Sequence, residues 1–330
     1  MLRSFVVSRR RWPLKAPFRI SRGVKTAAET VMVELRRGDA VGRGESVPYP
    51  RYGESVDGVI AQLETVAGAF EAGEPDDALR AMLEPGAARN ALDCALWDLC
   101  CRETGKSVAR MTGLARPERL VCAVTVSLDE PEAMGAAARA IADAPLIKVK
   151  LDSVLIEQRL LAVGQAAPNS RLIIDPNEGW TIDILKDVSP VLERMNIALI
   201  EQPLPAGEDQ GLAGYRPPAP VCADESVHTA DHLEALRDRY QAVNIKLDKT
   251  GGLTEAIRLL ARARELGFTV MTGCMVASSL GITPAMHIAG ASDFADLDGP
   301  WWLAGDWPCG VKVEGGWMTP PAKGFWGEPG

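Results

Sequence analysis

At 330 residues, with 47% apolar and 24% charged side chains, the chain is long enough for one large or two unequal globular domains. A net charge of −8 leaves no basic stripe to neutralise phosphates, Arg9-Arg10-Arg11 being too short, so no nucleic-acid partner is expected. Seven scattered cysteines fit neither a disulfide framework nor a zinc spacing. With no signal-like apolar run at the N-terminus and no apolar stretch of about 18 residues, a cytoplasmic setting without membrane contact is expected.

Along the chain, residues 4–8 and 30–36 (TVMVELR) alternate as half-buried strands. Residues 56–72 and 87–103 follow with helical periodicity, Ala91, Leu92, Ala95, Leu96 and Leu99 forming one stripe. Strands followed by helices predict an α+β domain over residues 1–112. After about residue 115, short apolar runs recur, each followed by a helical stretch: VCAVTV (121–126), LIKVKL (146–151), RLIID (171–175) and IALIE (197–201). PVCAD (220–224), AVNIKL (242–247), FTVMT (268–272) and FADLD (294–298) complete the series. Eight strand–helix repeats imply a closed parallel (β/α) barrel, placed at residues 113–311. The tail, 312–330, shows no further repeat and is expected to pack back on the first domain.

Lys150, Asp175, Glu201, Asp224, Lys246 and Asp298 stand at or near the C-terminal ends of predicted strands, the face where barrel enzymes build their sites. Asp175-Pro176-Asn177 or Asp298-Gly299-Pro300 alone reads as a turn. Six charged residues in one register do not. Asp175, Glu201 and Asp224 end neighbouring strands, and three convergent carboxylates repel one another without a cation. An all-oxygen set selects a hard ion and suggests Mg²⁺. The histidines His228, His232 and His287 are not placed on these ends, and His228/His232 reads as a helix-surface pair.

Lys148 and Lys150, two apart, share one side of a strand whose other side is apolar. Lys246 is placed similarly four strands away, with Asp248 two residues on. Two lysines on opposite walls can remove a proton from one face of a planar intermediate and return it to the other, which inverts a stereocentre. For that, a lysine pKa of about 10.4 has to fall toward roughly 7–8, as neighbouring cations would make it do. The metal would hold the substrate carboxylate and stabilise the enediolate formed on deprotonation. Asp296 and Asp298, across the cavity from the metal strands, suit a cationic group distal to that carboxylate. The α-ammonium of a dipeptide fits that span.

KVK (148–150), DPN (175–177), EQP (201–203), DES (224–226) and KLDKTGG (246–252) resemble the enolase superfamily, muconate lactonizing enzyme subgroup. GCM (273–275) and DLDGP (296–300) resemble its dipeptide epimerases, and PYPRYGES (48–55) and GAARNALDCALWDL (86–99) those acting on L-Ala-D/L-Glu. The resemblance implies a modified (β/α)₈ TIM-like barrel of enolase type, (β/α)₇β, under an α+β capping domain. It implies Asp175, Glu201 and Asp224 as Mg²⁺ ligands, Lys150 and Lys246 as acid/base pair with Lys148 assisting, and Asp296 with Asp298 on the dipeptide ammonium. Asn177 and Asp248 match motif positions and are assigned supporting roles at the site. Loops 18–26 and 48–54 would set side-chain selectivity, with Arg22 foremost among Arg19, Arg22 and Lys25 as receiver of a glutamate carboxylate. The implied setting is murein-peptide recycling, with a small dipeptide as partner and homo-oligomerisation left open. N-acylamino acid racemisation, cycloisomerisation or o-succinylbenzoate synthesis on the same scaffold are alternatives, as is a non-catalytic metal- or ligand-binding barrel. A lysine Schiff-base aldolase gives the carboxylate trio no role.

Overall fold

A computed structural model describes residues 2–329. The N-terminal part is an antiparallel sheet of β1 (Arg3–Ile20), β2 (Gly23–Arg37) and β3 (Ala40–Ser46), backed by α1 (Val56–Ala72), α2 (Asp76–Ala81) and α3 (Ala87–Thr104). The alternation in β2 buries Val31, Val33 and Leu35 against Val59, Leu63 and Phe70 of α1 and Leu92 and Leu96 of α3. Ser55 caps α1, its side chain accepting from the Gly58 amide, and Gly73 ends it in a left-handed conformation. Strand β3 was not anticipated, since glycines at 42 and 44 leave AVGRGES without an apolar alternation. They are needed in the strand: a Cβ on Gly42 would run into the backbone of Ala95 and Leu99, and one on Gly44 into that of Ala91.

After α4 (Val108–Thr112) and the short β4 (Leu120–Val121), eight parallel strands form the barrel: β5 (Val124–Val126), β6 (Leu146–Lys150), β7 (Arg171–Asp175) and β8 (Ile197–Glu201), then β9 (Val221–Ala223), β10 (Ala242–Ile245), β11 (Thr269–Gly273) and β12 (Phe294–Asp296). They are hydrogen-bonded in chain order, and the Ala123 amide donates to Ala295 O at 2.8 Å between the two end strands. The flanking helices are α5 (Pro131–Ala140), α6 (Ile156–Ala166), α7 (Ile182–Leu192), α8 (Leu247–Thr250), α9 (Leu253–Glu265) and α10 (Ser279–Ala289). The turn α11 (Gly299–Trp302) follows the last barrel strand.

Two expectations differ in detail. Residues 121–126 do not form one strand: β4 turns away to pair with a tail hairpin, β13 (Lys312–Glu314) and β14 (Trp317–Thr319), and only β5 joins the barrel. After β8 and β9 the connections hold 3₁₀ helices, Gln210–Leu212 and Ala230–Leu236, in place of α-helices. Prolines and glycines in PLPAGEDQGLAGYRPPAP deny that first stretch a continuous helical ladder. Farther along, the tail lies on the N-terminal part. Trp326 Nε1 donates to Arg43 O at 2.8 Å and the Gly327 amide to Asp98 Oδ1 at 2.9 Å.

Strand alternation divides the barrel interior into two levels. Ala123, Leu146, Ile173, Leu199, Cys222, Ala242 and Met271 make an apolar floor. Two residues further along the same strands stand Lys148, Asp175, Glu201, Asp224 and Asn244, all buried. The charged layer therefore rests on a dry base and faces the N-terminal part. No helix among the described residues is long and apolar enough to cross a membrane.

Candidate active site

A cavity of about 450 Å³ opens above the charged layer. Its barrel side includes Thr125, Lys148, Lys150, Asn177, Asp224, Lys246, Cys274, Asp296 and Asp298. The β1–β2 hairpin adds Phe18, Ile20, Arg22 and Lys25, and the loop after β3 adds Tyr49 and Tyr52. Of the residues singled out for the site, Asp175 and Glu201 lie in the charged layer beneath the cavity, Arg19 is exposed outside it, and Asp248 stands elsewhere. Its Oδ1 accepts from the Val47 amide at 2.9 Å and Asn90 Nδ2 at 2.8 Å, bracing the barrel against the N-terminal part.

The lysines are interleaved with the carboxylates. Lys148 Nζ lies 2.7 Å from Asp296 Oδ2, 2.6 Å from Glu201 Oε2 and 3.0 Å from Asp175 Oδ2. Lys150 Nζ donates to Asp175 Oδ2 at 2.5 Å, and Lys246 Nζ to Asp224 Oδ2 at 2.6 Å. Strands β6 and β10, which carry Lys150 and the run into Lys246, stand four apart in the eight-stranded order and face each other across the barrel. Asn177, at φ 48°, donates to Asp175 from its amide (2.9 Å) and its Nδ2 (3.1 Å).

Burial alone would depress Lys148 and Lys246, but carboxylates led by Asp296 and Asp224 respectively hold both well above the ordinary lysine value. The expected lowering rests on neighbouring cations, Mg²⁺ among them, and the carboxylates that hold these lysines up include the candidate ligands of that ion. Asp175 and Asp224 are correspondingly held low by their lysines, against the opposing effect of burial. Glu201 is pushed up to about 7, by burial first and then by the Asp175 charge.

The charged layer suits a hard divalent cation. No three His, Cys, Asp or Glu side chains among the described residues are already gathered about one cation position, because ammonium groups stand between the carboxylates. Yet the acidic set on β7, β8 and the end of β9 is all oxygen. Buried Glu201 Oε2 also accepts no well-directed hydrogen bond, despite the nearby Lys148 charge. A cation would relieve the repulsion that raises Glu201.

Several contributors were not read from the sequence. Lys249 Nζ, fully buried, donates to Asp224 Oδ1 (2.6 Å) and Asn244 O (3.0 Å). Asn244 Nδ2 donates to Glu201 Oε1 at 2.8 Å. Both belong to NIKLDK, where a polar residue two before Lys246, hence on its side of the strand, was the available signal. Glu225 also escaped notice, as the second acid of DES. It meets Arg22, whose guanidinium reaches Glu225 (2.8 Å), Glu178 (2.9 Å), Asn177 O (2.9 Å) and Tyr49 OH (3.1 Å). Arg51 grips Glu178 with two bonds of 2.7 Å. Lys25, by contrast, meets only the Tyr49 ring, 5.0 Å from its centroid, and has no carboxylate partner among the described residues. Burial lowers its pKa.

Residues 2–113 match the mandelate racemase/muconate lactonizing enzyme N-terminal domain, and residues 133–324 the enolase C-terminal domain-like family. The chain belongs to the mandelate racemase/muconate lactonizing enzyme family of the enolase superfamily. Among family members, the L-Ala-D/L-Glu epimerase of Escherichia coli is 46% identical over 92% of this chain and 96% of its own length. An N-acetyl-D-glutamate racemase of Pseudoalteromonas is 42% identical over 90% and 95%. A solved enolase family member from Agrobacterium tumefaciens, with homology to dipeptide epimerases and holding sodium and L-Ala-L-Glu, superposes with TM-score 0.95. It is 47% identical and covers 98% of this chain and 100% of its own. A dipeptide epimerase from Enterococcus faecalis, complexed with Mg and L-Leu-L-Tyr, gives TM-score 0.89 at 25% identity, covering 98% of each chain. The two solved relatives share this chain's fold over 98% of its length.

Proposed function

We propose that this chain is an Mg²⁺-dependent dipeptide epimerase, an isomerase that inverts the α-carbon of the C-terminal residue, with L-Ala-L-Glu and L-Ala-D-Glu as its leading substrates. The observation that carries the reading is Lys150 and Lys246 on opposite walls of one cavity, each paired to a different carboxylate. One lysine, as the free amine, takes the α-proton from its side of the substrate. The other, as ammonium, delivers a proton to the opposite side, and the roles exchange for the other enantiomer. Bound Mg²⁺, for which Asp175, Glu201 and Asp224 are the candidate ligands, would supply positive charge where the carboxylate gains charge on deprotonation. Lys148 adds a fixed positive charge at the same place, and Asn177 holds Asp175 in orientation.

At the far end, Asp296 and Asp298 line the cavity and are the proposed seat of the substrate ammonium. For the side-chain carboxylate, Lys25 is the better-placed receiver, because Arg22 already serves Glu178 and Glu225. Lys25→Met should raise KM for L-Ala-L-Glu by about tenfold or more, the worth of one charged hydrogen bond, and leave uncharged dipeptides little changed. An equal effect on both would refute this assignment.

The test of the reaction is a library of L,L-dipeptides with enzyme and Mg²⁺ in D₂O, followed by mass for one added deuterium. Incorporation concentrated in L-Ala-L-Glu and abolished by chelator is the expected result. Absence of exchange in every dipeptide rejects the proposal. A second reading, racemisation of an N-acylated glutamate, is favoured by one feature: Lys148 neutralises Asp296, and Asp298 is pushed up to about 6 by burial and then by Asp296. Such a seat tolerates a ligand without an ammonium, and turnover of N-acetylglutamate above that of dipeptides would select this reading.

A further inference from the structure

The Trp-rich segment after β12 has no part in the chemistry above, yet it touches the cavity at one point. Asp298, only 6% exposed, accepts two hydrogen bonds on Oδ2, from the Thr125 amide at 2.8 Å and from Trp302 Nε1 at 3.2 Å. The Thr125 side chain also bonds this carboxylate, and Asp298 lines the cavity. Trp302 reaches back because Asp298 opens the turn α11: the Trp301 amide bonds Asp298 O at 2.9 Å, and Pro300 presets the backbone.

The same indole also meets the hairpin over the site. Its ring stands 4.7 Å from that of Phe18, edge to face. Beside it, Lys15 Nζ donates to Trp301 O at 2.8 Å, and the Ala304 amide to Pro13 O at 2.8 Å. A purely space-filling residue here would need no N–H.

We propose that Trp302 is a positioning residue for ammonium recognition, fixing Oδ2 of Asp298 so that Oδ1 faces the bound peptide's amino group, and tying that carboxylate to the hairpin. This rests on the dipeptide reading above. The ligand class is an α-amino group one peptide unit from the reacting carbon.

The experiment compares L-Ala-L-Glu with N-propanoyl-L-glutamate, the same molecule without its ammonium, used as a competitive inhibitor. In Trp302→Phe, which keeps a ring against Phe18, KM for the dipeptide should rise about tenfold, as for a lost hydrogen bond to a charged group, with kcat within about twofold. The Ki of the analogue should not move. An unchanged dipeptide KM overturns the proposal. So does an equal weakening of both ligands, which would make Trp302 a packing residue. Should Trp302→Phe not fold, Phe18→Leu leaves the N–H in place and removes the ring contact. It should weaken the dipeptide about threefold more than the analogue, and an equal change in both overturns the proposal. A wild-type enzyme that shows no preference for the dipeptide over its analogue rejects the ammonium seat itself. A wild-type preference that survives in the variant rejects only the role of Trp302.

Discussion

Lys150 and Lys246 each hold a carboxylate, so removing either amine should separate the two half-reactions. In Lys150→Gln or Lys246→Gln, epimerisation should fall about 10²–10⁴-fold, while α-deuterium exchange persists for one enantiomer and vanishes for the other. Equal loss of exchange for both enantiomers in a folded variant is incompatible with two bases. Asn244 acts at one remove. It is neutral and donates to Glu201, so Asn244→Ala should weaken Mg²⁺ binding about 10–100-fold in a calorimetric titration without substrate. Unaltered Mg²⁺ affinity would make it a packing residue only. At this scale the sequence was most readable where a charge interrupts an apolar strand, as at Lys148 or Asp175, because the cost of burying it demands a use or a partner. It was least readable where the partner is distant in the chain. Asp248 looks like a cavity residue from its spacing to Lys246, yet its partners are Val47 and Asn90. Nothing in the spacing of Arg22 and Lys25 tells that the first meets two acids and the second none.

Among the elements, those with a repeating pattern were legible: the barrel strands follow the apolar runs because burial on both faces leaves a continuous hydrophobic signature. Strand β3 was hidden because its glycines answer to α3 above it, a tertiary demand without periodicity. Gly42→Ala should therefore destabilise the sheet–helix pair by about 1–3 kcal/mol through overpacking, lowering Tm by about 2–4 °C per kcal/mol. A Tm equal to that of wild type would show that α3 can shift without cost. The split of residues 121–126 between β4 and β5 was likewise beyond local pattern, since the tail that claims β4 begins nearly two hundred residues later.

For the molecule as a whole, the seam between the N-terminal part and the barrel carries several buried acids, Glu45 and Asp248 among them. Glu45 accepts from the Ser278 amide (2.9 Å) and hydroxyl (2.7 Å), and Asp248 accepts from Val47 and Asn90. Burial, the leading cause in both, pushes each up to about 7. The folded state thus binds protons that the unfolded chain has released. Their contribution is complete below the unfolded carboxylate range and lost as pH rises toward 7. Between pH 4.5 and 8 wild type should lose about 3 kcal/mol more stability than Glu45→Gln, read from denaturant midpoints at each pH. Parallel pH profiles would mean that Glu45 stays ionised in the fold. The apolar floor of the barrel has a different bearing. With its base closed by Leu146, Ile173, Leu199 and Met271, a proton captured by either lysine would leave on the cavity side, beneath the hairpin. Isotope wash-in slower than turnover would then show that this cavity is shielded from bulk water, the label of the starting enantiomer staying inside for more than one turnover.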